Sequence, residues 1–165
     1  VAPECLHMAE TDLISLTREL ISINTVNPPG NESALALSLG DLLAENGFEI
    51  ELPQYEGNRL HLVAEKGTGG PVAPLVLSGH LDTVPLGDKT WTREPFSGKI
   101  EGDRLYGRGS SDMKGGLAAM TMAAIEAMAG TSPEGGVRLI FSAGLYEYSS
   151  PALVFVKLPI STLLM

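Results

Sequence analysis

Leu13, Leu16, Leu20 and Ile23 recur every three or four positions, which predicts an amphipathic helix over residues 9–23. The run Asn27-Pro28-Pro29-Gly30 breaks it and reads as a loop without chemistry of its own. Asn31 can cap a second helix reaching about residue 46, with Leu35, Leu39, Leu42 and Leu43 inward and Asn46-Gly47 as a left-handed stop. Residues 48–54 and 59–66 read as two strands joined by a hairpin turn at Gly57-Asn58. After a Gly/Pro-rich loop over 67–74, residues 75–82 form a nearly all-apolar run. Such runs suit a central strand buried on both faces of a sheet. Residues 99–106 suit a small hairpin around Gly102-Asp103. Residues 113–129 suit a helix apolar nearly all round, hence buried and ended by Gly130, and 137–143 suit another buried strand. Strand, crossover helix and strand in that order predict a βαβ unit and a largely parallel sheet.

Composition narrows the class. A chain of 165 residues with 44% hydrophobic and 19% charged residues can bury one ordinary core, so one soluble α/β domain is expected. A formal charge of -9 argues against nucleic-acid or anionic-membrane partners, both of which select basic surfaces. One cysteine, Cys5, cannot form an internal disulfide, and the first residues show no basic and apolar signal-peptide pattern. A cytoplasmic location follows as the expectation, with Met8 as a natural start. The apolar end, 150–165, is interrupted by Pro151, Lys157 and Pro159 and is too short for a membrane span.

The residues that carry chemistry lie between 75 and 116. Side chains two apart on a strand share a face, so His80 and Asp82 can both enter a site at the strand's C-terminal end, where open α/β sheets place their sites. An imidazole there can bind Zn²⁺, Co²⁺ or Mn²⁺, and a neighbouring carboxylate can hold its tautomer; a hydrogen-bonded core histidine gives the same dipeptide. Asp112, between Gly107-Arg108-Gly109-Ser110-Ser111 and Met113-Lys114-Gly115-Gly116, falls at a helix start, as a ligand or as an ordinary N-cap. The glycines do not spell a phosphate loop, because Lys114 lacks the flanking Gly and Ser/Thr and no GxGxxG occurs. His61 reads as solvent-facing or satisfied. Met113, Met120, Met122 and Met128 read as core filler, and Arg108 as a surface ion-pair former.

The segments SGHLDTVP, Trp91 with Pro95-Phe96, and GRGSSDMKGG stand in the order and at the separations of the M20 metallopeptidases, and the chain resembles that family over roughly residues 8–143. The family includes acetylornithine deacetylases, succinyl-diaminopimelate desuccinylases, aminoacylases and carboxypeptidase G-type enzymes. The resemblance implies a three-layer α/β/α zinc-peptidase-like catalytic domain with a mostly parallel sheet. It implies that His80 binds one metal, Asp112 bridges two, Asp82 acts in catalysis by orienting His80, and the Asp112–Met113 peptide is cis. It also implies an amide hydrolase acting on N-acyl amino acids or small peptides with two divalent ions, zinc or else cobalt or manganese.

The resemblance stops after residue 144. Where the family has a Glu-Glu pair, as general base and ligand, this sequence reads Leu145-Tyr146, and Glu147 is the nearest carboxylate, a weak substitute ligand out of register. The family's later acidic ligand, distant histidine and inserted dimerisation or lid domain have no counterpart in these 165 residues. The expectation is therefore the N-terminal part of a catalytic domain over 8–144 and a divergent tail over 145–165, as a frameshift or splice change would produce. Such a chain would bind one metal ion or none and hydrolyse little. The competing expectation is a non-catalytic remnant acting at most as a binding or dimerising module.

Overall fold

The computed structural model describes residues 12–130 and 133–144. The expectations attached to Cys5, Met8, Glu147 and the 145–165 tail fall outside the described residues. Helix α1, Leu13–Ser22, begins where Asp12 caps it by accepting from the Ser15 N–H at 2.7 Å, and it buries Leu16 and Leu20. Helix α2, Glu32–Glu45, has Asn31 at its N-cap position but without a side-chain cap bond. Gly47, at φ 78°, ends that helix as the Asn-Gly pair implied.

Strands β1 (Glu49–Glu51) and β2 (Leu62–Lys66) pair antiparallel, with Gln54 and Leu60 bridged nearer the turn. Then come β3 (Leu75–His80), the separate hairpin of β4 (Lys99–Glu101) and β5 (Arg104–Tyr106), helix α3 (Gly115–Ala129) and β6 (Val137–Ser142). The expected strand–helix–strand unit is present, with β3 and β6 parallel in register from Leu75↔Val137 to His80↔Ser142. The order is β1-β2-β6-β3, and β2 meets β6 antiparallel, so the described sheet is mixed.

The run at 75–82 does not form a central strand among the described residues. The crossover through α3 inserts β6 between β2 and β3, leaving β3 at an edge with Leu75 and Val76 about half exposed. An apolar run reports that a strand tends to be buried; which neighbours it acquires is set by the crossover. Helix α3 is likewise buried on one face only, through Leu117, Ala118, Thr121, Ala124 and Met128. Its outward apolar positions are Ala119, Ala123, Ala127 and Ala129, whose small side chains expose little apolar area.

One core joins all three helices to the sheet. Leu62, Ala64, Val137, Leu139 and Phe141 pack with Leu16, Leu20, Leu35, Leu39, Leu43 and Leu117. Gly79 permits the close approach of α3 to β3, since a Cβ there would lie 2.9 Å from Leu117 Cδ2 and 3.0 Å from Met113 Cε. Met113, Met120, Met122 and Met128 all join this core, as filler. The second helical layer of a three-layer sandwich is not among the described residues.

Candidate metal centre at the end of β3

Three chain segments meet where β3 ends. His80 is its last residue, 7% exposed, and its backbone N–H donates to Met113 Sδ at 3.3 Å, which ties the strand end to the turn before α3. That turn, residues 110–114, leaves helical geometry at Asp112 (φ −135°, ψ 94°) and Met113 (φ −136°, ψ 32°). The Asp112–Met113 peptide is cis, as the resemblance implied. Gly109, at φ 83°, starts the turn against Thr83, and Gly115 ends it where a Cβ would stand 2.7 Å from Ser110 O.

The turn carries Asp112 to His80. The His80 Nε2 lies 2.9 Å from Asp112 Oδ1, and Nδ1 lies 3.1 Å from Asp82 Oδ1 and 3.1 Å from the Asp82 carbonyl oxygen. The two carboxylates differ: Asp82 is buried, whereas the Asp112 side chain is 65% exposed. The imidazole is thus fixed on its inner nitrogen and opens toward solvent on its outer one. The Asp82 hydrogen bond, against burial and with help from Asp112, lifts the His80 pKa to about 9. Without a metal, His80 is therefore an imidazolium bridging two carboxylates at neutral pH. Once the Nε2 proton leaves, the Asp82 carboxylate keeps the remaining hydrogen on Nδ1 and frees the Nε2 lone pair, the arrangement a metal-binding histidine uses.

The donor set fits part of a metal site. Among the described residues no three His, Cys, Asp or Glu side chains converge to hold an ion. His80 Nε2 and Asp112 supply two donors where a catalytic zinc takes about three protein ligands.

Other candidates settle differently. His61 is buried and satisfied, its Nδ1 accepting from the Ala143 N–H at 3.0 Å and its ring edge-on to Tyr55. Arg108 forms no ion pair among the described residues; it donates to the Pro85 carbonyl at 3.0 Å and lies over the Trp91 ring. Its loop brings an aromatic face and a carbonyl to it.

Residues that pattern reading passed over also support the site. Asn27, in the loop assigned no chemistry, donates from Nδ2 to Asp82 Oδ2 at 3.2 Å. Lys114 is fully buried, donates from Nζ to the Ile23 carbonyl, and has its pKa pushed down to about 8 by that burial. Behind the 27–30 loop, Arg59 and buried Glu32 form a two-point ion pair at 2.7 and 3.0 Å. Nothing in hydrophobic periodicity marks these residues. The one available signal was an Asn directly before Pro-Pro-Gly, whose side chain must leave a rigid turn.

Residues 76–144 match the model of peptidase family M20/M25/M40. The matched stretch is similar to the M20 peptidases. The chain is 38% identical over 138 residues to a probable succinyl-diaminopimelate desuccinylase of Staphylococcus aureus (strain MRSA252), an alignment covering 82% of this chain and 33% of that protein. It is 40% identical over 153 residues to succinyl-diaminopimelate desuccinylase 2 of Ruegeria sp. (strain TM1040), covering 91% and 37%. Its fold resembles the M20 family metallo-carboxypeptidase Sso-CP2 of Sulfolobus solfataricus with a TM-score of 0.71 and 25% identity, over 79% of this chain and 30% of that one. The chain thus spans about a third of the length of the curated relatives it matches. The matched residues include His80, Asp82 and Asp112, and no helix among the described residues is long and apolar enough to cross a membrane.

Proposed function

We propose that this chain carries the His80 and Asp112 part of a divalent-metal amidohydrolase centre of the M20 type, and that the corresponding whole enzyme cleaves an amide bond in N-acyl amino acids or small peptides. The observation that carries the reading is the pinning of His80 between buried Asp82 on Nδ1 and exposed Asp112 on Nε2. A core histidine needs one partner; here a second carboxylate, brought in by an irregular turn, faces the outward nitrogen. The names of similar proteins, desuccinylases and a metallo-carboxypeptidase, support a C–N bond as the target.

In this reading His80 and Asp112 hold the metal, with zinc the first choice and cobalt or manganese the alternatives that His/carboxylate donors accept. Asp82 keeps the hydrogen on Nδ1 and fixes the ring plane. A bound divalent ion supplies Lewis acidity, polarising the amide carbonyl and lowering the pKa of water. Residues 8–144 form the catalytic-domain part in this proposal and 145–165 a divergent tail. With two described donors, the chain by itself binds one ion weakly or none and hydrolyses little. That donor count also favours the second reading, a non-catalytic module.

The test is calorimetric titration of the protein, His80→Ala and Asp112→Ala with Zn²⁺, beside assays on N-succinyl and N-acetyl amino acids and dipeptides. Weak single-site binding lost in both variants is the expected result. Two tightly bound zinc ions with turnover would show a complete centre, while binding unchanged by His80→Ala would remove the site from His80.

A further inference from the structure

The loop at 25–30 runs beside the segment that follows β3. Val26 and Thr83 form a parallel bridge, Asn27 N donates to Thr83 O at 2.8 Å, Thr83 N donates to Thr25 O at 2.9 Å, and Thr25 Oγ1 donates to Leu81 O at 2.8 Å. These bonds hold Asn27 alongside Asp82 with little freedom. Behind the loop, the Arg59–Glu32 pair packs so closely that a Cβ on Gly30 would lie 2.6 Å from Arg59 Nε and 2.9 Å from Glu32 Oε1.

We infer that Asn27 is a positioning residue for the metal centre: its amide holds Oδ2 of Asp82 and thereby presents Oδ1 to the Nδ1 of His80. An ionised carboxylate only accepts hydrogen bonds, so the Asn27 NH₂ group, not its carbonyl, must face Asp82. The distances give each oxygen its own partner, 3.2 Å from Asn27 Nδ2 to Oδ2 and 3.1 Å from His80 Nδ1 to Oδ1. Without the amide Oδ2 loses one hold, the carboxylate turns more easily about its Cβ–Cγ bond, and the Oδ1–Nδ1 contact that helps to orient the imidazole loosens. Outer partners of this kind typically carry about 10- to 100-fold in metal affinity. Asn27, one bond further out, belongs at the lower end.

The inference rests on the metal reading for its affinity readout and is independent of it in its spectroscopic one. Asn27→Leu, close in shape but without a donor, is compared with the unmodified chain, Asp82→Ala, and the double variant. Co²⁺ affinity is measured by chelator competition, and the His80 ring N–H signals of the metal-free protein by long-range ¹H–¹⁵N correlation. The expected result is a Co²⁺ affinity about 10-fold weaker in Asn27→Leu, no further loss when Asn27→Leu is added to Asp82→Ala, and a shifted or broadened Nδ1–H signal with the melting temperature nearly unchanged. An equal loss in both backgrounds would mean that Asn27 acts only by shaping the loop, and overturns the inference. An unchanged affinity and Nδ1–H signal overturns it as well. If the unmodified chain binds no Co²⁺, an outcome that two donors allow, the Nδ1–H signal alone decides on Asn27: altered in Asn27→Leu it supports the role, unaltered it ends it.

Discussion

At the level of single residues, the two carboxylates around His80 set its pH dependence. Its folded pKa is raised from 6.5 to about 9, chiefly by Asp82. A raised pKa means that the folded state holds a proton the unfolded chain releases. The stabilisation is therefore complete below pH 6.5 and lost as pH rises through about 9. In metal-free protein, the stability difference between the unmodified chain and His80→Gln should shrink steadily over that interval in urea melts at fixed temperature. In the proposed centre Zn²⁺ would compete with the same proton, so its affinity should increase with pH up to about 9 and then level off. Lys114 has the opposite sign, because burial lowers its pKa from 10.5 to about 8. The unfolded chain then holds the extra proton, and stability attributable to Lys114 should rise with pH between those values. A Lys114→Met variant, compared by the same melts, should lose that rise. His-x-Asp was legible as a candidate pair because strand periodicity places both side chains together. Asn27 and Lys114 were not, since each reaches its partner across more than 50 residues of chain.

At the scale of elements, the turn between β5 and α3 delivers Asp112, and glycines make its path available. Gly109 sits at φ 83°, and a Cβ there would lie 2.7 Å from Thr83 Cγ2 and 3.2 Å from Lys114 Cδ. Gly109→Ala should destabilise the protein by about 1–3 kcal/mol through the left-handed backbone and the contact with Thr83. It should also weaken Zn²⁺ binding, a pairing that thermal melts and calorimetry together would detect. A change of the same size without a site nearby serves as control: Gly102→Ala, at φ 62° with open space around it, should lower stability and leave Zn²⁺ binding alone. The β4–β5 hairpin was legible from Gly102-Asp103 because turn chemistry is local. The irregular stretch at 110–114 was not, because Met113 and Lys114 continue an apolar helical pattern into residues that the tertiary contacts of Met113 with His80 hold out of the helix.

At the scale of the whole molecule, the described sheet is finished on one face and open along β3. Leu139 is fully buried at its middle, and Leu139→Ala should cost about 2–5 kcal/mol in urea melts. No described strand pairs with the outer edge of β3, where Leu75 is 55% and Val76 45% exposed. An apolar strand edge of this kind recruits other chains. Val76→Lys, which puts a charge on this edge, should leave the Leu139 core intact in the same urea melts. Helix and strand periods, turn glycines and motif order are properties of neighbouring positions, so the elements, the βαβ unit and the candidates His80, Asp82 and Asp112 could be read along the chain. That β6 lies inside β3, that Asn27 reaches Asp82, that Lys114 is buried against the Ile23 carbonyl, and that Asp112 faces Nε2 at hydrogen-bond distance came from packing alone. Those facts depend on how distant segments cross and pack, and no local pattern along the chain carries that information.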